Sequence, residues 1–340
     1  MQESRPFVSV IVPIRNEERH IERCLGALAE QDYPRDRFEV IVVDGESTDR
    51  TRPLVERFIA ESTLNIALLS NPAKRTAAGL NIGIRAARGE IVVRVDGHCV
   101  VAPDFITESV AALEWSGADC VGGPITSVGE GFWGRAIATA MSSRFGVGGA
   151  AFRVSAREQW TDTVAFGAYR RSLFDSLGGF REDLDGGEDD EFNYRLLSAG
   201  GRILLTPSIR SRYFVRSSLP GLARQYFRYG RAKAAVLAAH PEQTRPRQLA
   251  PPAFIAALAA AGALALRGAR RPLAALLGAY GAANLGATAW EARRCGLPSA
   301  LVLPAAFAAL HVSYGLGFFA GLAGLARARA ARRERQEAPL

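Results

Sequence analysis

Two clusters of residues have the types and spacing to do chemistry. The first is Asp96-Gly97-His98, which follows the apolar, β-branched run Ile91-Val92-Val93-Arg94-Val95. A carboxylate and an imidazole separated by one glycine can converge on one divalent cation, and the glycine leaves backbone room for phosphates. The same tripeptide is also an ordinary turn after a strand. The second is Glu188-Asp189-Asp190-Glu191, four acids behind Gly186-Gly187. The helix macrodipole favours acids in a first turn, so the stretch reads in one way simply as a good helix start. In the other, a carboxylate held there acts as a general base, with the glycines leaving space for a substrate. Asp44 closes a further apolar run, Phe38-Glu39-Val40-Ile41-Val42-Val43.

The elements that must position these residues follow from hydrophobic patterning. Phe7 to Pro13 predicts a strand closed by proline, and Arg15-Asn16-Glu17-Glu18 opens a helix whose Ile21, Leu25 and Leu28 keep helical spacing. The strand ending at Asp44 runs into a polar turn where Ser47 or Thr48 caps a helix reaching Ala60. Asn65 to Ser70 makes a third strand, Lys74 to Arg88 a helix stopped by Gly89, and Ile91 to Val95 the central strand. The apolar residues of the central strand are nearly continuous, as in a buried parallel strand.

Alternating strands and helices with short connections predict a right-handed parallel α/β sheet, whose ligand crevice lies beyond the C-terminal strand ends. There Asp44 can accept from a base or ribose and Asp96 can hold a metal on a diphosphate. No Gly-x-Gly-x-x-Gly follows the first strand and no Gly-x-x-x-x-Gly-Lys-Ser/Thr occurs, which disfavours dinucleotide enzymes and P-loop NTPases. Residues 129–163 are Gly-rich and irregular around a helix at 133–145, and read as a mobile, substrate-covering segment. Ser217 to Ala239 predicts an amphipathic helix. Leu219, Leu222, Tyr226, Phe227 and Tyr229 line one side, and Arg224, Arg228, Arg231 and Lys233 are placed to meet headgroups or phosphates. The alternative is a core-packed helix with a solvated basic face.

The net charge of +8 over 340 residues raises the question of nucleic acid. No interleaved basic-aromatic surface is present, however, and much of the excess flanks apolar sequence: Arg267, Arg270, Arg271, Arg327, Arg329, Arg332, Arg333 and Arg335. That pattern points to a membrane surface, with no nucleic-acid partner. Beyond Pro251 the chain is rich in Ala, Leu and Gly, with apolar stretches at about 249–266, 272–290 and 297–326, each near the ~20 residues that cross a bilayer. Gly278, Gly281, Gly286, Gly315, Gly317 and Gly321 suit close helix contacts in lipid. A buried soluble bundle would need acidic residues for its wet faces, and these are missing. Three membrane-embedded segments are expected, with the number of full crossings open, because a cytosolic Arg cluster and a cytosolic N-terminal domain together require an even number. Cys24, Cys99, Cys120 and Cys295 show no metal spacing and read as buried apolar residues in a reducing compartment. The polar start of the chain shows no signal peptide.

With these residues in view the chain resembles family 2 glycosyltransferases of the GT-A fold over about residues 6–235, and within them the bacterial ExoA-type succinoglycan and exopolysaccharide enzymes. The resemblance rests on several stretches in order: residues 8–17, Val42-Val43-Asp44-Gly45 with its polar turn to Thr51, Asn81 to Gly89, Val93 to His98, and Gly187-Glu188-Asp189-Asp190-Glu191-Phe192. It implies a mixed, mostly parallel sheet with helices on both faces, followed by C-terminal helical membrane segments. It implies a donor site of Pro13, Arg15, Glu17, Asp44, Lys74, Arg75 and Asp96, with Asp44 meeting the base. Asp96 matches the first acid of the family's Asp-x-Asp metal motif, and His98 stands where the second would be. Imidazole favours Mn²⁺ over Mg²⁺. Asp189 matches the catalytic base, with Glu188 beside it. Gln225, Arg228 and Tyr229 resemble the Gln-x-x-Arg-Trp segment that holds acceptor and diphosphate, though Tyr229 in place of tryptophan argues against a processive polymerase. Gly45 replaces a common second acid after Asp44.

The resemblance implies an inverting, metal-dependent transfer from a nucleotide sugar, a UDP-sugar first, to a polyprenyl-diphosphate-linked saccharide in exopolysaccharide or envelope glycan synthesis. The expected layout is a catalytic domain over 1–215, an interface helix and linker over 216–248, membrane helices over 249–326 and a basic cytoplasmic tail over 327–340. The enzyme would be multi-pass in the inner membrane with its catalytic domain cytoplasmic. Two rivals are transfer directly to a polyprenyl phosphate, and a non-catalytic membrane adaptor that binds sugar nucleotides.

Overall fold

The structure, a computed structural model, describes residues 5–184 and 186–337, with side chains as far as Ala331. The side chains of Arg332, Arg333 and Arg335 in the expected basic tail, and residues 338–340, lie outside the described residues. The chain forms two compact units. One comprises residues 1–126 and 150–214, the other residues 127–149 and 215–340.

The first unit is built on an eight-stranded sheet. Its strands are β1 (Val8–Ile14), β2 (Phe38–Asp44), β3 (Ile66–Ser70), β4 (Ile91–Arg94), β6 (Cys120–Gly123), β8 (Gln159–Trp160), β9 (Ala165–Arg170) and β10 (Ile203–Leu205). They lie in the order β3-β2-β1-β4-β9-β6-β10-β8. β1 to β4 are mutually parallel, as their apolar runs and intervening helices require, whereas β9 enters antiparallel between β4 and β6. The sheet is therefore mixed. Two short strands, β5 (Cys99–Val101) and β11 (Ser211–Phe214), pair antiparallel beside it, and β7 (Ile125–Val128) follows β6. Ile11, Ile41, Val43, Val92, Tyr169, Phe174, Phe180 and Phe192 share one core cluster, which fixes the sheet to its covering helices.

Those helices are α1 (Ile21–Ala29), α2 (Thr51–Glu61), α3 (Thr76–Ala86), α4 (Phe105–Ser116), α7 (Ala151–Val154), α8 (Ser172–Leu177) and α9 (Glu188–Ser198). Several boundaries differ from expectation for identifiable reasons. Pro13 lies inside β1 rather than closing it. It still pairs with Val43 of β2, but the β4 side of β1 has already ended at Ile11, so no ladder donor is needed there. α1 starts only at Ile21, because the preceding amides donate to the neighbouring loop: Asn16 to Ser47 Oγ (3.0 Å), Glu17 to Thr51 Oγ1 (2.7 Å) and Glu18 to Asp49 Oδ2 (3.3 Å). Ser47 and Thr48 do not cap α2; Asp49 Oδ1 accepts from Thr51 at the start of that helix. α3 ends three residues before Gly89. A Cβ there would meet the Ser9 amide nitrogen at 2.5 Å and the Ile91 carbonyl oxygen at 2.7 Å, so glycine serves close backbone approach rather than helix termination.

The second unit is helical: α5 (Gly131–Met141), α6 (Arg144–Val147), α10 (Leu219–Ala239), α11 (Pro246–Leu266), α12 (Arg271–Cys295), α13 (Leu297–Ala300) and α14 (Leu303–Glu337). Residues 131–147, expected to be part of a mobile covering segment, are ordered helices packed here. Phe145 meets Phe307 edge-on, and Arg135 Nε donates to Ser299 Oγ at 3.5 Å. α10 packs along α14. A Cβ at Gly230, Gly317 or Gly321 would strike backbone of the facing helix. Of the glycines expected at tight helix contacts, Gly315, Gly317 and Gly321 make them, while Gly278, Gly281 and Gly286 face open space. Arg224, Arg228 and Arg231 lie on the exposed side of α10, but Lys233 is buried rather than solvent-facing. Two helices are long and apolar enough to cross a membrane, Pro246–Leu266 and Leu303–Ala331. The expected third, over 272–290 in α12, is not one of them: its many Ala and Gly residues, with Tyr280, Asn284 and Thr288, dilute its apolar character, and Arg271, Glu291, Arg293 and Arg294 bound it.

Candidate active site

The C-terminal ends of β1, β2 and β4 carry the residues the motifs singled out, and the loops there are held in demanding conformations. Asn16, Glu46 and Lys74, just beyond β1, β2 and β3, all have positive φ (56°, 53° and 60°). Side chains that adopt this region need a local reason. For Asn16 it is a bond from Thr48 N–H to its side-chain oxygen at 2.8 Å, which ties two strand-end loops together. Glu46 and Lys74 face one another in an ion pair at 2.6 Å. Asp44 is buried at the end of β2, where its Oδ1 accepts from the Ser47 amide (3.1 Å) and hydroxyl (2.6 Å), and Arg52 lies 3.6 Å from Oδ2. Arg75 donates to the Glu182 carbonyl at 2.8 Å, Arg15 is exposed, and Pro13 is half-buried.

At the end of β4, residues 94 and 96 point to the same side because side chains alternate along extended chain. Val93 and Val95 are fully buried on the other side. Arg94 therefore reaches Asp96: Nε to Oδ1 is 2.9 Å and Nη2 to Oδ2 is 3.4 Å. The same Nη2 lies 3.0 Å from Glu188 Oε1 at the start of α9. Burial opposes the Asp96 charge, but the Arg94 guanidinium, with His98 adding, overcomes it and holds the carboxyl below the usual aspartate range. His98 Nδ1 lies 2.9 Å from Glu17 Oε1, and Tyr213 meets the imidazole edge-on. A carboxylate only accepts, so this pairing makes Nδ1 the donor and Nε2 the nitrogen able to ligate.

Asp189 stands in the first turn of α9. The loop before it is anchored to α3 through Asn81, which bonds Phe180 N–H and carbonyl (both 2.8 Å) and Glu182 (2.8 Å). Gly186 and Gly187 then take φ of 104° and 70°, a turn that places four acids at the helix start. The four divide by environment. Glu191 is buried and paired with Arg195 at 2.9 Å, a structural role, and Glu188 is held by Arg94. Asp189 keeps partial exposure, and its carboxyl is pushed up to about 7. Burial is the main cause, followed by the neighbouring Asp190 and then Glu188, against the opposing pull of Arg94 and a hydrogen bond from the Asp190 amide. A carboxyl poised near neutrality is suited to exchanging a proton in the working pH range.

The structure thus brings Asp96, Glu188 and Asp189 to one locus, with Glu17 and His98 paired alongside. It leaves Lys74 and Arg75 engaged with Glu46 and Glu182. Gln225, Arg228 and Tyr229 belong to the other unit, where Gln225 Nε2 donates to Tyr229 Oη at 2.9 Å and Arg228 is exposed. Asp96 and His98 are a carboxylate–imidazole pair, and among the described residues no three His, Cys, Asp or Glu gather to hold a metal, at this locus or any other. The pair fits a six-coordinate cation only where phosphate oxygens complete the shell. Sequence reasoning missed Arg94, whose signal was a charged residue inside a buried apolar strand. All four cysteines are free and buried. Burial pushes the Cys24, Cys99 and Cys120 thiols up, away from nucleophilic use.

Comparison with known proteins identifies the family. The model for glycosyl transferase family 2 matches residues 9–178. The succinoglycan biosynthesis protein ExoA of Rhizobium meliloti (strain 1021) is 30% identical over 317 residues, covering 91% of this chain and 93% of that protein. A Methanococcus voltae enzyme is 29% identical over 238 residues, 68% of this chain and 74% of its own. It is named as a dolichyl N-acetyl-alpha-D-glucosaminyl phosphate 3-beta-D-2,3-diacetamido-2,3-dideoxy-beta-D-glucuronosyltransferase. Among solved structures, the mannosyltransferase PcManGT of Pyrobaculum calidifontis, in complex with GDP-Man and Mn²⁺, superimposes with a TM-score of 0.61. It shares 27% identity, over 94% of this chain and 88% of that one. With a family model matching half of the chain, a relative 30% identical over most of it and a mixed GT-A sheet, the chain belongs to glycosyltransferase family 2 and is a glycosyltransferase.

Proposed function

We propose that the protein is an inverting, divalent-cation-dependent transferase that moves a sugar from a nucleoside diphosphate to a hydroxyl of a lipid-linked saccharide. The observation that carries this reading is Asp189: a partly exposed carboxyl raised to about 7, on a helix start tied through Glu188 and Arg94 to Asp96. Asp189 takes the proton of the acceptor hydroxyl as that oxygen attacks the anomeric carbon in a single displacement. Asp96 and His98 hold the divalent cation, Mn²⁺ first, and Glu17 orients the imidazole. A cation bound there would supply charge neutralisation for the departing diphosphate. Asp44 faces the base end of the donor, with Pro13 and Arg15 along the cleft and Lys74 and Arg75 towards the phosphates. Gln225, Arg228 and Tyr229 serve the acceptor side.

Support for the cation and the nucleotide sugar comes from the Mn²⁺ and GDP-Man bound by the Pyrobaculum relative. Support for a lipid-phosphate-linked acceptor comes from the name of the Methanococcus relative. The apolar helices α11 and α14 favour work at the inner membrane, with the first unit cytoplasmic. The experiment supplies membranes containing the protein with polyprenyl-diphosphate sugars and a panel of UDP-, GDP- and dTDP-sugars. Mn²⁺-dependent entry of labelled sugar into the lipid fraction is the expected result. Transfer to polyprenyl phosphate instead would replace the acceptor, and neither transfer nor donor hydrolysis from any sugar nucleotide would contradict the reading.

A further inference from the structure

We propose that Arg94 is a positioning residue that sets the donor-side carboxylate Asp96 and the base-bearing helix α9 relative to one another through a single guanidinium. The inference rests on the transferase reading above and concerns a residue no motif assigns. Three of its contacts are made: Nε and Nη2 on Asp96, and Nη2 again on Glu188, with separations of 2.9, 3.4 and 3.0 Å. β4 and α9 are 94 residues apart in the chain at these positions, and this side chain bridges them directly. The planar fork of arginine allows one cation to orient two carboxylates, which a lysine ammonium does not reproduce.

The contact is poorly explained as a stabilising device. Arg94 is 9% exposed, and its Nη1 is buried without a hydrogen-bond partner among the described residues. A buried cation with an unsatisfied donor costs folding free energy, and an apolar residue in a buried strand ordinarily serves stability as well or better. The geometry instead serves two functions at once. It orients the Asp96 carboxylate, and it places positive charge beside the helix start that carries Asp189. Among the described residues, Glu188 and Asp190 on its own helix and Tyr169 on β9 interact with Asp189, and Arg94 sets a positive charge against the acids.

The test compares wild type with Arg94→Met and Arg94→Lys, each checked for folding by thermal melting. Three quantities are read: Mn²⁺ affinity in the presence of UDP or GDP, measured by calorimetry and Mn²⁺ resonance, the split of kcat from donor KM, and the pH dependence of kcat. Loss of a residue that orients a ligating carboxylate lowers cation affinity about 10–100-fold, so that drop is expected in Arg94→Met with nucleotide binding in the absence of Mn²⁺ unchanged. The acid limb of kcat moves to higher pH, because removing the cation makes Asp189 hold its proton more tightly. Arg94→Lys keeps the limb near the wild-type position but not the Mn²⁺ affinity. If Arg94→Met does not fold, the lysine variant decides alone on Mn²⁺ affinity. Wild-type Mn²⁺ affinity and an unmoved limb in folded Arg94→Met, or wild-type Mn²⁺ affinity in Arg94→Lys, overturn the proposal. A wild type that binds Mn²⁺ with nucleotide but transfers no sugar contradicts the transferase reading alone, and the affinity comparison still decides the role of Arg94. A wild type without Mn²⁺-dependent nucleotide binding overturns both.

Discussion

The proposed function makes Asp189 the base, and its environment makes testable demands. Asp189→Asn removes the base while keeping size and most hydrogen bonding, so kcat falls about a thousandfold, within the range set by losing one general base. In the wild type, kcat rises with pH through an acid limb near 7 as the carboxyl ionises. The same shift has a stability consequence of definite sign. The folded protein retains this proton to about 7, whereas the unfolded chain loses it near the ordinary value of 3.8. Stability contributed by this group therefore declines as pH rises from about 4 to about 7. Asp189→Asn escapes that decline and melts higher than wild type by about 2–4 °C at pH 8, with a smaller gain at pH 5, when measured by calorimetry. Asp96 has the opposite sign: its depressed carboxyl contributes stability above the unfolded value, lost only as acid protonates it. Asp96 and Asp189 were legible in the sequence because each is an acid at a predictable element end. Arg94 and the Glu17–His98 pair were not. The first hid inside an apolar run, and the second joins residues 81 positions apart, which no local pattern links.

Elements explain why the residues hold their places. The strands β1 to β4 and helices α1 to α3 were readable from apolar runs and helical spacing, and local burial alone decides them. The antiparallel insertion of β9 between β4 and β6 was not readable, because sheet order depends on contacts between distant segments. Residues 133–145 were legible as a helix, but their packing with the C-terminal helices was not, since small apolar side chains such as Ala136, Ile137 and Ala140 do not name their partner. Gly89 is the clearest element-scale test. Its amide and that of Arg88 donate to Ser9 Oγ at 2.8 and 3.1 Å, joining the α3–β4 connection to β1. Gly89→Ala forces a Cβ against the Ser9 and Ile91 backbone and costs about 1–3 kcal/mol, as overpacking does. Denaturant titration reads this as a lower midpoint with an unchanged slope. An unchanged midpoint would show that the connection relaxes freely.

At the scale of the whole molecule, a sheet-based unit with the proposed active site and a helical unit with an apolar exterior share one chain. Leu264 and Leu266 on α11, Leu277, Leu285 and Trp290 on α12, and Leu316, Phe319 and Leu322 on α14 are exposed, more apolar surface than water-facing helices ordinarily carry. The protein is expected to stay in the membrane pellet through alkaline carbonate and to enter solution only with detergent. Release by carbonate would limit it to surface attachment. One measurement bears most closely on Asp189 as the proposed base of a cation-dependent sugar transfer. Labelled sugar entering the lipid fraction is compared for wild type and Asp189→Asn, alongside Mn²⁺-dependent nucleotide binding by each. Transfer is expected to fall about a thousandfold in a variant that binds the nucleotide and Mn²⁺ as the wild type does. Transfer persisting at the wild-type rate in Asp189→Asn would contradict it.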